Sequence, residues 1–79
     1  MDEQTIFEAI RRNVLALVPE IPAEQIALDC TLSDLGLNSI DRAEVIVLVM
    51  EQLAVSVPVH EFHRGNTIAT LVEVIRRYT

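Results

Sequence analysis

Residues 34–53, DLGLNSIDRAEVIVLVMEQL, carry the clearest structural signal in this chain. Gly36 and Asn38 interrupt the chain, and from Ser39 onward apolar residues recur at helical spacing. Asn38 is a favoured N-cap residue, and Asp41 places a carboxylate in the first turn, where the helix dipole favours negative charge. We therefore predict a helix over residues 39–53.

This helix has two apolar faces. At about 100° per residue, one face contains Val45, Ile46, Val49 and Leu53. The nearly opposite face contains Ile40, Ala43, Val47 and Met50, flanked by Asp41, Glu44 and Glu51. A small domain cannot easily bury both faces, so one is predicted to be an exposed stripe that binds a partner. Periodicity alone leaves open which face that is.

Two further helices are predicted on either side. Apolar residues at steps of three and four describe an amphipathic helix over residues 4–18, which Pro19 and Pro22 end. Thr5 and Glu8 have the spacing of a capping box, although Asp2 is an earlier possible start. Thr67 is the predicted cap of a closing helix that bears Ile68, Leu71, Val72, Ile75 and Tyr78.

The connections are expected to be ordered. Residues 19–37 form a long loop rich in aliphatic side chains, which we expect to pin it across the helix ends, with single helical turns at 23–26 and 33–35. After Pro58, residues 59–63 suit a short helical piece. The predicted fold class is all-α, a small four-helix bundle of three main helices and one short helix, forming one domain over residues 1–79.

Composition restricts the function. The formal net charge is -6, and no lysine is present, which disfavours nucleic acid and anionic membranes as partners. A basic protein surface is the natural counterpart, although acidity also serves solubility alone. The N-terminus lacks the basic-then-apolar build of a secretion signal and no apolar run spans a bilayer, so we expect a cytoplasmic protein.

Other residues with chemical potential receive plainer interpretations. Cys30 is the only cysteine, so no internal disulfide and no cysteine-based zinc site is expected. His60 and His63 lack further ligands nearby and are interpreted as surface residues, and no metal site is predicted. The acidic residues on the second helix are interpreted as a solvated recognition face rather than catalytic carboxylates.

Ser39 lies in the first turn of the second helix. A phosphodiester built on its hydroxyl would lie near the positive end of the helix dipole. Serine is also common at helix starts for capping alone, so position by itself does not decide between the two roles.

The run from Asp34 to Glu44 resembles the phosphopantetheine attachment motif of acyl carrier proteins, and length, acidity and helix order agree with that family. The resemblance implies that a phosphopantetheinyl transferase moves a 4'-phosphopantetheine arm from coenzyme A onto Ser39. It also implies that acyl groups ride on the arm as thioesters, without intrinsic catalysis by the protein. The recognition residues it implies are Ile40, Asp41, Glu44, Val47 and Glu51. We predict that Asn38, Ala43 and Met50 contact partners as well.

Three positions depart from the common family pattern. Asn38 replaces an aspartate, Ile40 replaces a leucine, and Arg42 adds a positive charge early in the helix. The string NSIDRAE, residues 38–44, resembles freestanding polyketide carriers of β-branching cassettes, which donate acetyl groups derived from malonyl. The partners so implied are an acyltransferase, a ketosynthase or decarboxylase, and an HMG-CoA-synthase-like enzyme, each acting on a monomeric carrier. Alternatives are a fatty-acid carrier, an aminoacyl or peptidyl carrier, and a helical adaptor without a prosthetic group.

Overall fold

The computed structural model describes residues 1–63 and 65–79, and the regular structure in these ranges is helical. The three α-helices are α1 (Glu3–Leu17), α2 (Ser39–Leu53) and α3 (Ile68–Arg77). Three 3-10 turns lie between them, at Ala23–Gln25, Ser33–Leu35 and Val59–Glu61. The predicted all-α class and the three main helices are therefore confirmed.

The expected fourth helix is present only as the third 3-10 turn, Val59–Glu61. Pro58 precedes this turn, and Phe62 already has extended backbone angles, with φ -102 and ψ 124. These two boundaries leave room for a single turn. The four-helix description thus holds only in part, and three α-helices with 3-10 connections describe residues 1–63 and 65–79 more closely.

The helix starts follow from local capping. Asp2 caps α1, because its Oδ1 accepts a 2.8 Å hydrogen bond from the Thr5 amide, so the earlier of the two possible starts is the one observed. Thr67 caps α3 as expected, with its hydroxyl accepting from the Thr70 amide at 3.2 Å. The helix α1 stops at Leu17, just ahead of Pro19.

α1 is the central element of the core and packs against both α2 and α3. Its buried face carries Ile6, Ala9, Ile10 and Val14. Asn13 is buried on the same face, and it exchanges two amide hydrogen bonds with Gln52 of α2, at 3.0 and 3.2 Å. Pairing the Asn13 amide removes the free-energy penalty that a buried unpaired polar group would carry, and it fixes the register of α1 on α2.

The long loop between α1 and α2 is anchored, as expected, by aliphatic side chains. Ile26, Leu32 and Leu37 are buried in the core, whereas Leu28 remains half-exposed. The predicted single turns at 23–26 and 33–35 are both present as 3-10 turns. Burial of three anchors keeps the segment that precedes α2 in one place.

The same loop completes the start of α3. Thr31 and Thr67 form an isolated antiparallel bridge. The carbonyl of Cys30 accepts from the Ile68 amide at 2.8 Å, and the carbonyl of Leu28 accepts from the Ala69 amide at 2.9 Å. The first N–H groups of a helix have no acceptor within it, so these two loop carbonyls act as the hydrogen-bond acceptors for the first amides of α3.

Among residues 1–63 and 65–79, no helix is both long enough and apolar enough to cross a lipid bilayer.

Candidate functional site

Ser39 is the first residue of α2, and its side chain is exposed. The cap of α2 is Asn38, whose Oδ1 accepts from the Asp41 amide at 2.8 Å. The Asp41 carboxylate accepts in turn from the Asn38 amide at 3.4 Å, which completes a capping box. Because Asn38 caps the helix, the Ser39 hydroxyl is not needed for that purpose. The capping interpretation of Ser39 is thereby removed.

The backbone before Ser39 is held in a defined turn. Gly36 has φ 89, in the left-handed region that glycine adopts without strain. Leu37 is buried and fixes the chain to the core one residue before the cap. Arg42 reaches back from α2, and its Nη1 donates to the Ser33 hydroxyl at 3.0 Å and to the Leu37 carbonyl at 3.2 Å. Ser39 is thus presented from a rigid loop-to-helix junction.

The structure decides between the two apolar faces of α2. Val45 and Val49 are buried against the core, and Ile46 and Leu53 on the same side are half-buried. On the opposite side Ile40 is 75% exposed and Val47 is 47% exposed, with Ala43 also exposed. Exposed large apolar side chains in a row are typical of a surface that a partner covers.

The acidic side chains border this stripe. Glu44 and Glu51 are exposed, and Asp41 is half-buried because it takes part in the cap. We call Ile40, Ala43 and Val47, with Asp41, Glu44 and Glu51, the α2 stripe. An apolar centre edged by carboxylates suits a partner surface with an apolar patch inside a basic rim.

Met50 behaves differently from the rest of its predicted face. It is half-buried and packs against the core instead of lying on the open surface. Its side chain lines a groove of about 280 Å³ that begins at Ser39 and runs along α2. The groove is also lined by Leu32, Arg42, Ala43, Ile46, Val47, Val59, Phe62, His63, Asn66 and Leu71. We call this the α2 groove.

A second, more open groove also borders Ser39. It is lined by Ser33, Gly36, Leu37, Asn38, Ser39 and Arg42, and we call it the loop groove. Ser39 and Arg42 are the two residues common to both grooves. A group attached to Ser39 therefore adjoins two surface grooves, and Arg42 lines both.

The third 3-10 turn, which provides one wall of the α2 groove, is tied to the end of α3. The Tyr78 phenol donates a 2.6 Å hydrogen bond to Oε2 of Glu61, and Arg77 lies 4.0 Å from Oε1. The hydrogen bond from Tyr78 holds the pKa of Glu61 below its usual value, with a smaller contribution from Arg77. The same hydrogen bond raises the pKa of Tyr78 above its usual value.

The remaining chemically reactive side chains are scattered. His60 and His63 are both exposed, and Cys30 is half-buried with Sγ 3.6 Å from the Gln25 carbonyl. In residues 1–63 and 65–79, no group of three or more histidine, cysteine, aspartate or glutamate side chains is placed to hold a metal ion. The reactive group at the start of α2 is the exposed hydroxyl of Ser39.

Sequence patterns did not reveal two parts of this site. Val59 is 83% exposed at the groove, and Phe62 lines the same wall. Both lie in the predicted short helical piece at residues 59–63, which is too short for residue spacing to indicate where their side chains point. The position of Pro58 was the one available signal, because it predicted a break in the chain just before this segment.

The chain matches the family model described as "Phosphopantetheine attachment site" over residues 12–75. It is 36% identical over 75 residues to the polyketide biosynthesis acyl-carrier-protein AcpK of Bacillus subtilis (strain 168), covering 95% of this chain and 92% of that protein. It is 28% identical over 68 residues to an acyl carrier protein of Streptomyces coelicolor, covering 85% and 74%.

The fold is also similar to a solved structure. A chain in the crystal structure of the curacin biosynthetic pathway HMG synthase in complex with acetyl donor-ACP superimposes with a TM-score of 0.82. The sequence identity is 27%, and the match covers 94% of this chain and 95% of that one.

Proposed function

This chain belongs to the acyl carrier protein family, in its polyketide type, whose members carry a 4'-phosphopantetheine group, and we propose that Ser39 is the residue that carries it. The observation that supports this most directly is the arrangement at the start of α2. Asn38 provides the cap, which leaves the Ser39 hydroxyl exposed between two grooves. The chain as a whole then acts as a single carrier domain.

The residues at this junction fit a phosphopantetheine group. A phosphodiester at Ser39 lies at the N-terminus of a 15-residue helix, where the dipole and unpaired N–H groups favour an anion. The α2 groove offers a largely apolar channel that starts at the same serine. When bound, the group supplies a thiol that holds acyl cargo as a thioester.

In the attachment reaction Ser39 is the acceptor, and the transferase is the catalyst. The Ser39 oxygen would form the new bond to phosphorus while the pyrophosphate P–O bond of coenzyme A breaks. The serine proton would pass to a base of the transferase, and the nucleotide half of coenzyme A would leave. The junction of Gly36, Leu37 and Asn38 holds the hydroxyl outward so that a transferase can reach it. A rigid presentation reduces the conformational entropy lost when the two proteins meet.

We assign partner recognition to the α2 stripe, together with Asn38 beside Ser39 and Met50 at the groove. Apolar contact with Ile40, Ala43 and Val47 supplies the centre of the interface, and Asp41, Glu44 and Glu51 orient it by charge. The same surface serves the phosphopantetheinyl transferase and the acyltransferase that loads the arm. It serves a ketosynthase or decarboxylase in turn, so these partners compete for it.

The finer role that we propose is acetyl donation to an HMG-CoA-synthase-like enzyme in β-branching of a polyketide. The similarity in fold to a structure of an HMG synthase with an acetyl donor carrier supports this choice. The protein does not itself catalyse this step. It acts in the cytoplasm as a monomer that raises the effective concentration of tethered acetyl at the synthase.

Attachment is tested by intact-protein mass spectrometry after incubation with coenzyme A and a broad-specificity transferase. The parent and a Ser56→Ala control, which changes an exposed serine beyond α2, are expected to gain one phosphopantetheine group. Ser39→Ala is expected to gain none. An unmodified parent, or a modified Ser39→Ala variant, would contradict the assignment.

The donor role is tested with the acetylated carrier and two acceptor enzymes. A donor-type HMG synthase is expected to consume the acetyl thioester, while a fatty acid ketosynthase is expected to turn it over far more slowly. The opposite ranking would place the chain with fatty-acid carriers. Loading by an adenylating enzyme with an amino acid would place it with aminoacyl or peptidyl carriers.

A further inference from the structure

Arg42 occupies an unusual place in the charge distribution of this chain. It is the only arginine or lysine in residues 13–63, and the net charge of the whole sequence is -6. The charged side chains nearest to it in sequence are the carboxylates of Asp34, Asp41 and Glu44. A cation early in a helix is disfavoured by the dipole, so its presence there calls for a compensating interaction.

The hydrogen bonds of Arg42 fix the guanidinium without neutralising it. Both bonds leave from Nη1, to the Ser33 hydroxyl and the Leu37 carbonyl, and both acceptors are uncharged. The ion pairs found in residues 1–63 and 65–79 are Arg11 with Glu8 and Arg77 with Glu61, and neither includes Arg42. Its Nε and Nη2 carry further N–H donors, in the planar arrangement that suits two oxygens of a phosphate.

Geometry places these donors beside the attachment residue. Arg42 follows Ser39 by three positions on one helix, a spacing at which two side chains are neighbours. The two bonds of Nη1 also show that the side chain bends back toward the loop before Ser39. Ser39 and Arg42 are the residues that the α2 groove and the loop groove share, so an arm leaving Ser39 into either groove adjoins Arg42.

We propose that Arg42 binds the phosphodiester of the arm at Ser39, as a half-buried cationic clamp that Ser33 and Leu37 hold in position. The inference rests on the proposed attachment at Ser39. The phosphodiester adds negative charge to a protein whose net charge is already -6, and Arg42 offsets it. The clamp fixes the first bonds of the arm, and so the direction in which the arm leaves the protein.

The direct test is NMR spectroscopy of the apo and holo protein, with loading confirmed by mass. In the parent, the Arg42 Nε–H signal is expected to shift between apo and holo forms, while that of exposed Arg12 on α1 stays in place. The 31P signal of holo Arg42→Gln is expected to move away from that of the parent. The 31P signal of Arg42→Lys, which keeps the charge without the planar donors, should lie between those of the parent and Arg42→Gln. The 31P signal of Arg12→Gln should coincide with that of the parent.

A second readout separates the clamp from a purely structural role. Arg42→Gln removes the bonds to Ser33 and Leu37 in apo and holo forms alike, so a structural role alone lowers Tm equally in both. The clamp predicts a larger loss of Tm in the holo form, and a difference that shrinks as salt is added. Equal losses, or an Arg42 signal unchanged by loading, would overturn the proposal. Failure of the parent to load would instead count against Ser39 as the attachment residue.

Discussion

The phenol of Tyr78 donates a 2.6 Å hydrogen bond to Glu61, which lies 17 positions earlier in the chain. Glu61 ends the third 3-10 turn, and Tyr78 follows the last residue of α3. The bond therefore closes the end of α3 onto the segment that forms one wall of the α2 groove.

Tyr78→Phe is expected to loosen the third turn without unfolding the core. The amides of Glu61 and Phe62, which bond to Pro58 and Val59 carbonyls at 3.0 Å, should exchange with solvent faster. Amides of α1 should keep the parent rate, since α1 packs against α2 and α3 through buried side chains. Hydrogen exchange by NMR measures both sets, and equal acceleration in α1 would show that the bond has a global role.

The same pair predicts a pH dependence with a defined sign. The pKa of Glu61 is lowered in the folded state, so its contribution is present above the ordinary glutamate pKa of about 4.3 and is lost as pH falls below it. The pKa of Tyr78 is raised, so its contribution is present below about 10 and is lost as pH rises through the folded value. Protection of the Glu61 and Phe62 amides from hydrogen exchange should therefore be highest between these two pH limits. Tyr78→Phe should abolish the loss of protection at alkaline pH.

Asn38→Ala is expected to lower the free energy of unfolding by about 1 kcal/mol, because the Asp41 amide loses its cap. Asn38→Asp keeps an oxygen acceptor at the same place and should stay close to the parent. Urea denaturation followed by circular dichroism measures the difference. A full-sized loss in Asn38→Asp would mean that the side-chain amide matters for something other than capping.

Val49 and Val47 form a matched pair on opposite sides of α2. Val49 is fully buried, so Val49→Ala should lower the free energy of unfolding by about 2 kcal/mol through lost burial and a residual cavity. Val47 is half-exposed, so Val47→Ala should change it by less than about 0.5 kcal/mol. Turnover with the HMG synthase, measured at a temperature where both variants are folded, should fall more in Val47→Ala than in Val49→Ala. Equal turnover by Val47→Ala and the parent would remove Val47 from the α2 stripe.

Ala54→Gly is expected to stabilise the protein. Ala54 ends α2 with φ 55, a left-handed conformation that strains a residue with a Cβ atom. Glycine relieves that strain but adds freedom to the unfolded chain, and the net gain should be about 0.5 to 1 kcal/mol. Urea denaturation provides the value, and a loss of stability would show that contacts of the Ala54 methyl outweigh the strain.

The parts of the fold that could be predicted from the sequence are those set by neighbouring residues. Asn38 and Thr67 were identified as caps because capping depends on residues three apart, and both are confirmed. The start of α1 was narrowed to two choices, and the structure selects Asp2. Ser39 was recognised from a short motif whose residues are contiguous, and its role as the attachment point stays a prediction.

The parts that could not be predicted depend on contacts between distant residues. The two apolar faces of α2 are equivalent by periodicity, and only α1 packing on Val45 and Val49 distinguishes them. Met50 was grouped with the exposed stripe, but it is half-buried because it packs against the core. Ala54 adopts a left-handed conformation that is typical of glycine, so its residue type did not indicate that conformation.

The start of α3 has a consequence for the order of folding. Because the Leu28 and Cys30 carbonyls take the first amides of α3, this helix cannot complete its N-terminus until the long loop has closed onto it. Closure of the loop and formation of the first turn of α3 are therefore expected to be cooperative. Local opening of this loop is therefore expected to release the Ile68 and Ala69 amides of α3 to hydrogen exchange with solvent.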